Sequence, residues 1–219
     1  MKALDLFSGA GGAAMGLYRA GFTDITGVDI RPQKHYPFRF IQADAMTFPL
    51  EGYDFIWASP PCQAYVQRNK NLVTKHPKLI EPVRARLEAA GVPFIIENVL
   101  GQPLQATVML CGTMFGLKVI RHRYFYTSFP ASLAPATCTH EGSVSEGDYA
   151  AVYAFGGKGP RFMVDGERLR VAAPTQPGPS WDEAMGIDWM DKKGLSQAIP
   201  PAYSEWLGKQ VLQYLQVKA

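Results

Sequence analysis

Four short segments of the chain carry side chains whose type and spacing could do chemistry. In SPPCQ (59–63), two prolines stiffen the backbone just before Cys62 and remove two N–H donors. The reading is a thiol displayed at the end of an apolar run, whereas Cys111 and Cys138 read as small core hydrophobes. A thiol of ordinary pKa is only about 3% ionised at pH 7, so a nucleophilic Cys62 needs a base or a positive field, which nearby arginines would supply. In FIIENV (94–99), Glu97 and Asn98 follow apolar residues. A carboxyl half-buried in this way is expected to have a raised pKa, which suits a proton donor; a plain capping carboxylate is the alternative. RHRYF (121–125) places Arg121 and Arg123 two apart, on one side of a strand, as a shared site or as two surface cations.

The fourth segment is SGAGG (8–12). Glycines between a strand and a helix let a ligand approach the backbone, and the helix amino terminus offers free N–H groups to an anion. Asp29 stands 20 residues after Gly9, at a strand end where a carboxylate can grip the two hydroxyls of a ribose. Asp44 closes the next strand and could accept from an adenine amino group. The turn with these acids points to a nucleoside cofactor. It is not the dinucleotide fingerprint, because GAGGAA lacks glycine at the sixth position.

The elements that must position these groups follow from the apolar pattern. Residues 2–7, 24–29, 38–42, 53–58, 92–97 and 122–128 read as strands. Helix-like stretches run from the glycine turn to about Ala20, over 79–90, 181–189 and 195–217. Strands alternating with helices predict an α/β fold with a mainly parallel sheet covered on both faces, and ligands beyond the strands' carboxyl ends. Residues 130–180 are rich in Gly, Pro, Ser and Thr, with strand-like pieces such as AVYAF, and read as a small irregular lobe.

In these motifs the chain resembles the DNA cytosine methyltransferases that act at carbon 5 with S-adenosylmethionine, above all short stand-alone members from phages and prophages. DLFSGAGG, VDI, ADA, PPCQ, ENV and RHR stand in that family's order, and the likeness resumes at WDEAMGIDWM and QAIPPAYSEWLG. The resemblance implies a Rossmann-like S-adenosylmethionine-dependent methyltransferase sheet with a small target-recognition lobe. Its catalytic part would be 1–129, the lobe 130–180, and helices over 181–219 would complete the catalytic part.

It also implies roles. Cys62 would be the nucleophile, Glu97 the acid on the base, Arg123 the partner of the base oxygen and Arg121 a support. Phe7, Gly9, Ala10, Gly11, Gly12, Asp29, Ile30, Asp44, Ala45, Pro61, Gln197 and Ala198 would line the cofactor. Gln63, Arg68, Lys70, Lys75, Asn98, Lys158 and Arg161 would meet DNA. The chain departs from the family at Val119, where glutamine is usual, at Ser196-Gln197, where Gly-Asn is usual, and at Asp29, where glutamate is usual. The implied reaction is methylation of a flipped-out cytosine through a Cys62 adduct, leaving S-adenosylhomocysteine. A tRNA or nucleotide cytosine methyltransferase and a catalytically degenerate DNA-binding module are the alternatives.

Charge and composition fit a globular partner of a polyanion. The chain is 47% hydrophobic and 19% charged, which excludes a disordered chain or a coiled coil. The net charge of +3 is mild, but residues 63–90 hold six Lys/Arg against two Glu, with no acid between Gln63 and Ile80. That stretch reads as a loop closing over double-stranded DNA, or as a solvated face. No apolar run reaches about 18 residues, so no membrane partner is expected. Three cysteines and no signal-like start lead to the expectation of a reducing cytoplasm, bacterial or phage-infected, and of a monomer. Cys138 and His140 lie two apart without a second matching pair, and His35, His76 and His122 have no partner visible in sequence. No metal is therefore expected. About 50 residues remain for reading DNA, which predicts a recognition site of two to four bases and no room for an appended regulatory domain.

Overall fold

The fold is described from a computed structural model, over residues 1–65, 77–99, 103–132, 135–152, 161–164, 167–170 and 178–218, the two segments at 161–170 as backbone only. The chain opens with β1 (Lys2–Leu6), α1 (Gly12–Ala20), β2 (Asp24–Asp29), β3 (Arg39–Gln42) and β4 (Phe55–Ala58). It continues with α2 (Ile80–Ala90), β5 (Phe94–Asn98), β6 (Val108–Leu110), a 3₁₀ turn (Gly112–Phe115) and β7 (Arg123–Thr127). A hairpin, β8 (Arg161–Val164) and β9 (Glu167–Arg170), precedes α3 (Trp181–Met185), α4 (Lys192–Gln197) and α5 (Pro201–Lys218).

Seven strands form one sheet in the order β3-β2-β1-β4-β5-β7-β6. The first five pair in parallel, and β7 runs antiparallel to both β5 and β6. Central strands covered on both faces should be apolar almost throughout, and β4 and β5 are buried along their whole length. Their side chains alternate between two cores. Phe55, Trp57 and Ile95 face Leu17 of α1 and Tyr203, Leu207 and Val211 of α5. Ile56, Ala58, Phe94 and Ile96 face Ile80, Val83 and Leu87 of α2.

Helices α1 and α5 approach so closely that only glycine fits between them. A Cβ on Gly16 would run into Ser204 Oγ and the Pro201 carbonyl, and one on Gly208 would lie 2.8 Å from Ala20 Cβ. Helices α1 and α5 therefore form one packed layer against the sheet.

The structure departs from the sequence expectation in several places; the helix expected over 181–189, for one, ends at Met185, with Gly186 left-handed at φ 66°. The helical stretch expected over 195–217 is two helices, because Pro200 and Pro201 break it. A residue before proline is pushed out of the α region, which bars Ile199 from continuing the helix; α4 ends at Gln197 with Ala198 already extended at ψ 158°, while Pro201 fits the first turn of α5. Strand β6 was not expected, since three residues carry no readable period. Residues 153–160, including most of AVYAF, lie outside the described residues, and Ala151 and Val152 form no strand.

Candidate functional site

The strand ends deliver the candidate residues to one edge of the sheet. Residue Phe7 follows β1 in a left-handed conformation, φ 56°, which costs a non-glycine residue about 1–2 kcal/mol. Gly9 and Gly11 are left-handed too, at φ 49° and 88°. The position of a Cβ on Gly9 has nothing within 4 Å, so the backbone faces open space there. At the other end of the turn, Gly11 leads into α1 without a side-chain cap, leaving the helix's first N–H groups for a ligand.

Asp29 is built into this turn. Its Oδ2 accepts the Gly9 N–H at 3.1 Å and its Oδ1 the Arg31 N–H at 2.9 Å. A carboxylate offers about four acceptor positions, so two remain for hydroxyls. Ile30 beside it is 67% exposed, an apolar surface at a strand end. Asp44 uses Oδ1 to accept the Met46 N–H at 2.9 Å and is exposed, and Ala45 is buried under Arg86, which donates to its carbonyl at 2.8 Å.

From the far end of the chain, Trp189 Nε1 donates to the Ala10 carbonyl at 3.0 Å. The start of α1 packs on Ala198 and Ile199, which a Cβ on Gly12 would strike, while the Gln197 side chain is exposed. Glycine turn, Asp29, Ile30, Asp44 and the 197–198 segment thus come together. Free N–H groups, ribose-type acceptors and an apolar shelf are what a nucleoside with a charged tail requires.

On the neighbouring strands, Glu97 and Arg123 form an ion pair, Oε1 to Nε 2.9 Å, with both side chains largely buried. Burial pushes the Glu97 carboxyl up, against the pull of Arg123, Arg121 and a hydrogen bond from Ser59. Ser59 is itself held by Trp57 Nε1 at 3.0 Å. The raised carboxyl agrees with the sequence expectation. The Cys62 thiol differs from it. Burial raises its pKa, the Glu97 charge raises it further, and the lowering by Arg123 and Arg121 does not overcome this.

Asn98, expected to meet DNA, is buried with both ends of its amide engaged. Its Nδ2 donates to the Pro60 carbonyl at 2.8 Å, and its Oδ1 accepts the Val99 N–H at 3.0 Å. It therefore clamps the proline loop that presents Pro61, Cys62 and Gln63, whose Oε1 is buried without a partner. Arg121 is likewise turned away from Cys62. It donates to the carbonyls of Ser196 at 2.9 Å and Val152 at 3.4 Å, and its pKa is lowered to about 9 by burial and by Arg123. Its own carbonyl accepts the Tyr203 hydroxyl at 2.7 Å. Val119 packs with Ala150, Met185 and Leu195 in a small apolar cluster.

Arg68, Lys70, Lys75 and Lys158 lie outside the described residues, and of Arg161 only its place in β8 is described. The two ends of the loop after Cys62 meet where Tyr65 Oη accepts the Ile80 N–H at 3.1 Å. Sequence reasoning missed Ser59, Trp57, Tyr203 and Trp189, because their partners lie up to 179 residues away or belong to no motif. It also expected no metal, for want of a second pair beside Cys138 and His140, and the fold supplies that pair in Cys111 and His122. No described helix is long and apolar enough to cross a membrane.

Residues 1–102 match the family model of C-5 cytosine-specific DNA methylases. Among curated proteins, the chain is 31% identical over 110 residues to the type II methyltransferase M.NgoMIV of Neisseria gonorrhoeae, covering 45% of this chain and 35% of that protein. It is 30% identical over 122 residues to the type II methyltransferase M.AquIA of Picosynechococcus, covering 46% and 49%. The chain thus spans half or less of the length of these relatives. A prophage-encoded E. coli protein described as a DNA modification methyltransferase shares the fold, with a TM-score of 0.62 at 15% identity over 99% of both chains. The Entamoeba histolytica methyltransferase EhMeth does so at 0.62 and 13%, over 98% of both. The sheet is therefore the Rossmann-like one of these methyltransferases.

Proposed function

From the likeness of residues 1–102 to the C-5 cytosine-specific DNA methylases, we propose that this chain methylates carbon 5 of cytosine in double-stranded DNA with S-adenosylmethionine. The observation that carries the reading is the Glu97–Arg123 pair, buried beside Cys62 at the strand edge that holds the glycine turn and Asp29. Phe7, Gly9–Gly12, Asp29, Ile30, Asp44, Ala45, Pro61, Gln197 and Ala198 would hold the cofactor, which supplies an electrophilic methyl group for carbon 5.

The chain's own residues do the rest. The target carbon is inaccessible in a stacked duplex, so the cytosine is flipped out at a cost of a few kcal/mol. Cys62 gives up its thiol proton to solvent and its sulfur adds to carbon 6 of the ring, while Glu97 places a proton on N3, which makes the ring an enamine nucleophilic at carbon 5. Arg123 keeps the Glu97 carboxyl aimed and reaches the base oxygen O2. Once carbon 5 carries the methyl group, water takes the carbon 5 proton, the carbon 6–sulfur bond breaks to release the Cys62 thiolate, and N3 returns its proton to Glu97, which restores the ring. A raised Glu97 carboxyl suits a proton donor, a kind of help typically worth about 10²–10⁴ in rate.

Arg121 ties the catalytic strand to the carboxyl-terminal part, through Ser196, and to residues 130–180, through Val152. Those residues are assigned to target recognition, between catalytic parts 1–129 and 181–219. Gln63, Arg68, Lys70, Lys75, Lys158 and Arg161 would meet DNA.

The test offers labelled S-adenosylmethionine with duplex DNA, tRNA and free nucleotide as separate acceptors. Expected is 5-methylcytosine in the duplex alone, absent with Cys62→Ala. Label in tRNA or nucleotide instead, or unchanged activity of Cys62→Ala, would overturn the reading.

A further inference from the structure

Away from the cofactor edge, four potential metal ligands converge: Cys111, His122, Cys138 and His140, whose ligating atoms all lie within 4.8 Å of one another. The convergence is topological. Strands β6 and β7 pair antiparallel with Leu110 opposite Arg123, so the next residue out on one strand, Cys111, meets the preceding one on the other, His122. The segment after β7 then returns Cys138 and His140 to the same point.

The distances describe a coordination shell. Cys138 Sγ is 3.3 Å from His122 Nε2 and 3.2 Å from His140 Nε2, and Cys111 Sγ is 3.5 Å from His140 Nε2. Tetrahedral zinc with Zn–S about 2.3 Å and Zn–N about 2.05 Å sets sulfur and nitrogen about 3.6 Å apart. Hydrogen bonding alone does not account for the cluster. An imidazole nitrogen carries one lone pair or one proton and makes one in-plane bond. His140 Nε2 nevertheless stands within contact of two sulfurs, and Cys138 Sγ within contact of two imidazoles. One central cation satisfies all four groups at once. The Thr113 hydroxyl donates to Cys111 Sγ at 3.5 Å and lies 4.0 Å from Cys138 Sγ, a contact that steadies thiolate charge.

We propose that Cys111, His122, Cys138 and His140 form a structural zinc site. Four protein ligands leave no open position, so the ion is a brace and not a reagent. Two thiolates neutralise the dication, and binding releases the two thiol protons to solvent. The brace fixes His122, which stands between Arg121 and Arg123, and fastens the start of the 130–180 segment to the sheet edge.

The test reads metal, not methyl transfer, so it stands whether or not the catalytic reading does. Protein purified under reducing conditions without chelator should hold about one zinc per chain. Cys138→Ser should lower this at least tenfold, while Cys62→Ser should keep it. Because Cys138→Ser could fold poorly, a second measurement uses the wild-type chain. Exchange with Co²⁺ should give the intense visible bands of tetrahedral cobalt with sulfur-to-metal charge transfer. Native thiol titration should show two further reactive cysteines once a chelator is added. Zinc below a tenth per chain with no cobalt bands would overturn the proposal. So would a Cys111–Cys138 disulfide, or zinc unchanged in a folded Cys138→Ser variant.

Discussion

Asp5 offers the sharpest numerical test of the packing beneath the glycine turn. It sits one residue before the end of β1, fully buried, with Oδ2 accepting the Tyr36 hydroxyl at 3.2 Å and Oδ1 without any partner. Burial, only partly offset by Tyr36, raises its carboxyl to about 8, against 3.8 in an ordinary setting. Between those values the folded protein holds a proton that the unfolded chain has released. Folding stability is therefore fully present below about pH 4 and is lost as pH rises toward 8. The slope approaches about 1.4 kcal/mol per pH unit, so some 4 kcal/mol is at stake between pH 5 and pH 8. Asp5→Asn keeps an acceptor for Tyr36 and cannot ionise. Urea unfolding of both proteins at pH 5, 6, 7 and 8 should show the variant gaining on the wild type by about 4 kcal/mol across the series, with other titrating groups cancelling in the difference. Parallel curves, within about 1 kcal/mol, would show that the Asp5 carboxylate is as comfortable inside as in water, and the burial argument would fail. The stakes reach the glycine turn, because the Tyr36 ring held by Asp5 packs against the backbone at Gly11 and Gly27.

Glu97→Gln keeps the shape but cannot deliver a proton, so single-turnover methyl transfer should fall about 10²–10⁴-fold while S-adenosylmethionine affinity, read by calorimetry, stays the same. Asn98→Ala releases the Pro60 carbonyl and should lower kcat with little change in cofactor affinity; an equal loss of both would show that the amide does not act through the Cys62 loop. Gly16→Ala should destabilise the chain by about 1–3 kcal/mol in urea unfolding, since the new methyl meets Ser204 and Pro201. Tyr203→Phe leaves the buried Arg121 carbonyl without its donor and should cost about 1–3 kcal/mol by the same measurement.

Which features were legible in the sequence follows from how local their causes are. Strands β1, β2, β4 and β5 were readable because central parallel strands are apolar runs ended by glycine, proline or a polar residue, as in FIIEN. The residues at their carboxyl ends were readable for the same reason. What those side chains hold was not. Asn98 looks like a DNA contact until the fold turns its amide onto Pro60, 38 residues earlier. Cys62 looks activated by arginines until its burial is known. The Cys111–His122–Cys138–His140 cluster spans 30 positions and is assembled by β6 pairing with β7, and β6 is too short to announce itself.

The two arginines of RHR illustrate a division of labour that spacing alone conceals. Side chains two apart on a strand share a face, yet Arg123 meets a carboxylate and Arg121 meets only carbonyls. A buried guanidinium without a directly paired anion is expensive, and its Nε has no partner at all. Its compensation is electrostatic. The Glu97 charge supports it, and in return Arg121 lowers the pKa of both Glu97 and Cys62 from beyond hydrogen-bond contact. A fixed cation placed this way offsets part of the cost of charging either group, while burial keeps both raised. The same side chain pins Ser196, next to Gln197 and Ala198, and Val152. One residue therefore links the charge balance at Cys62 to two segments 31 and 75 residues further along the chain.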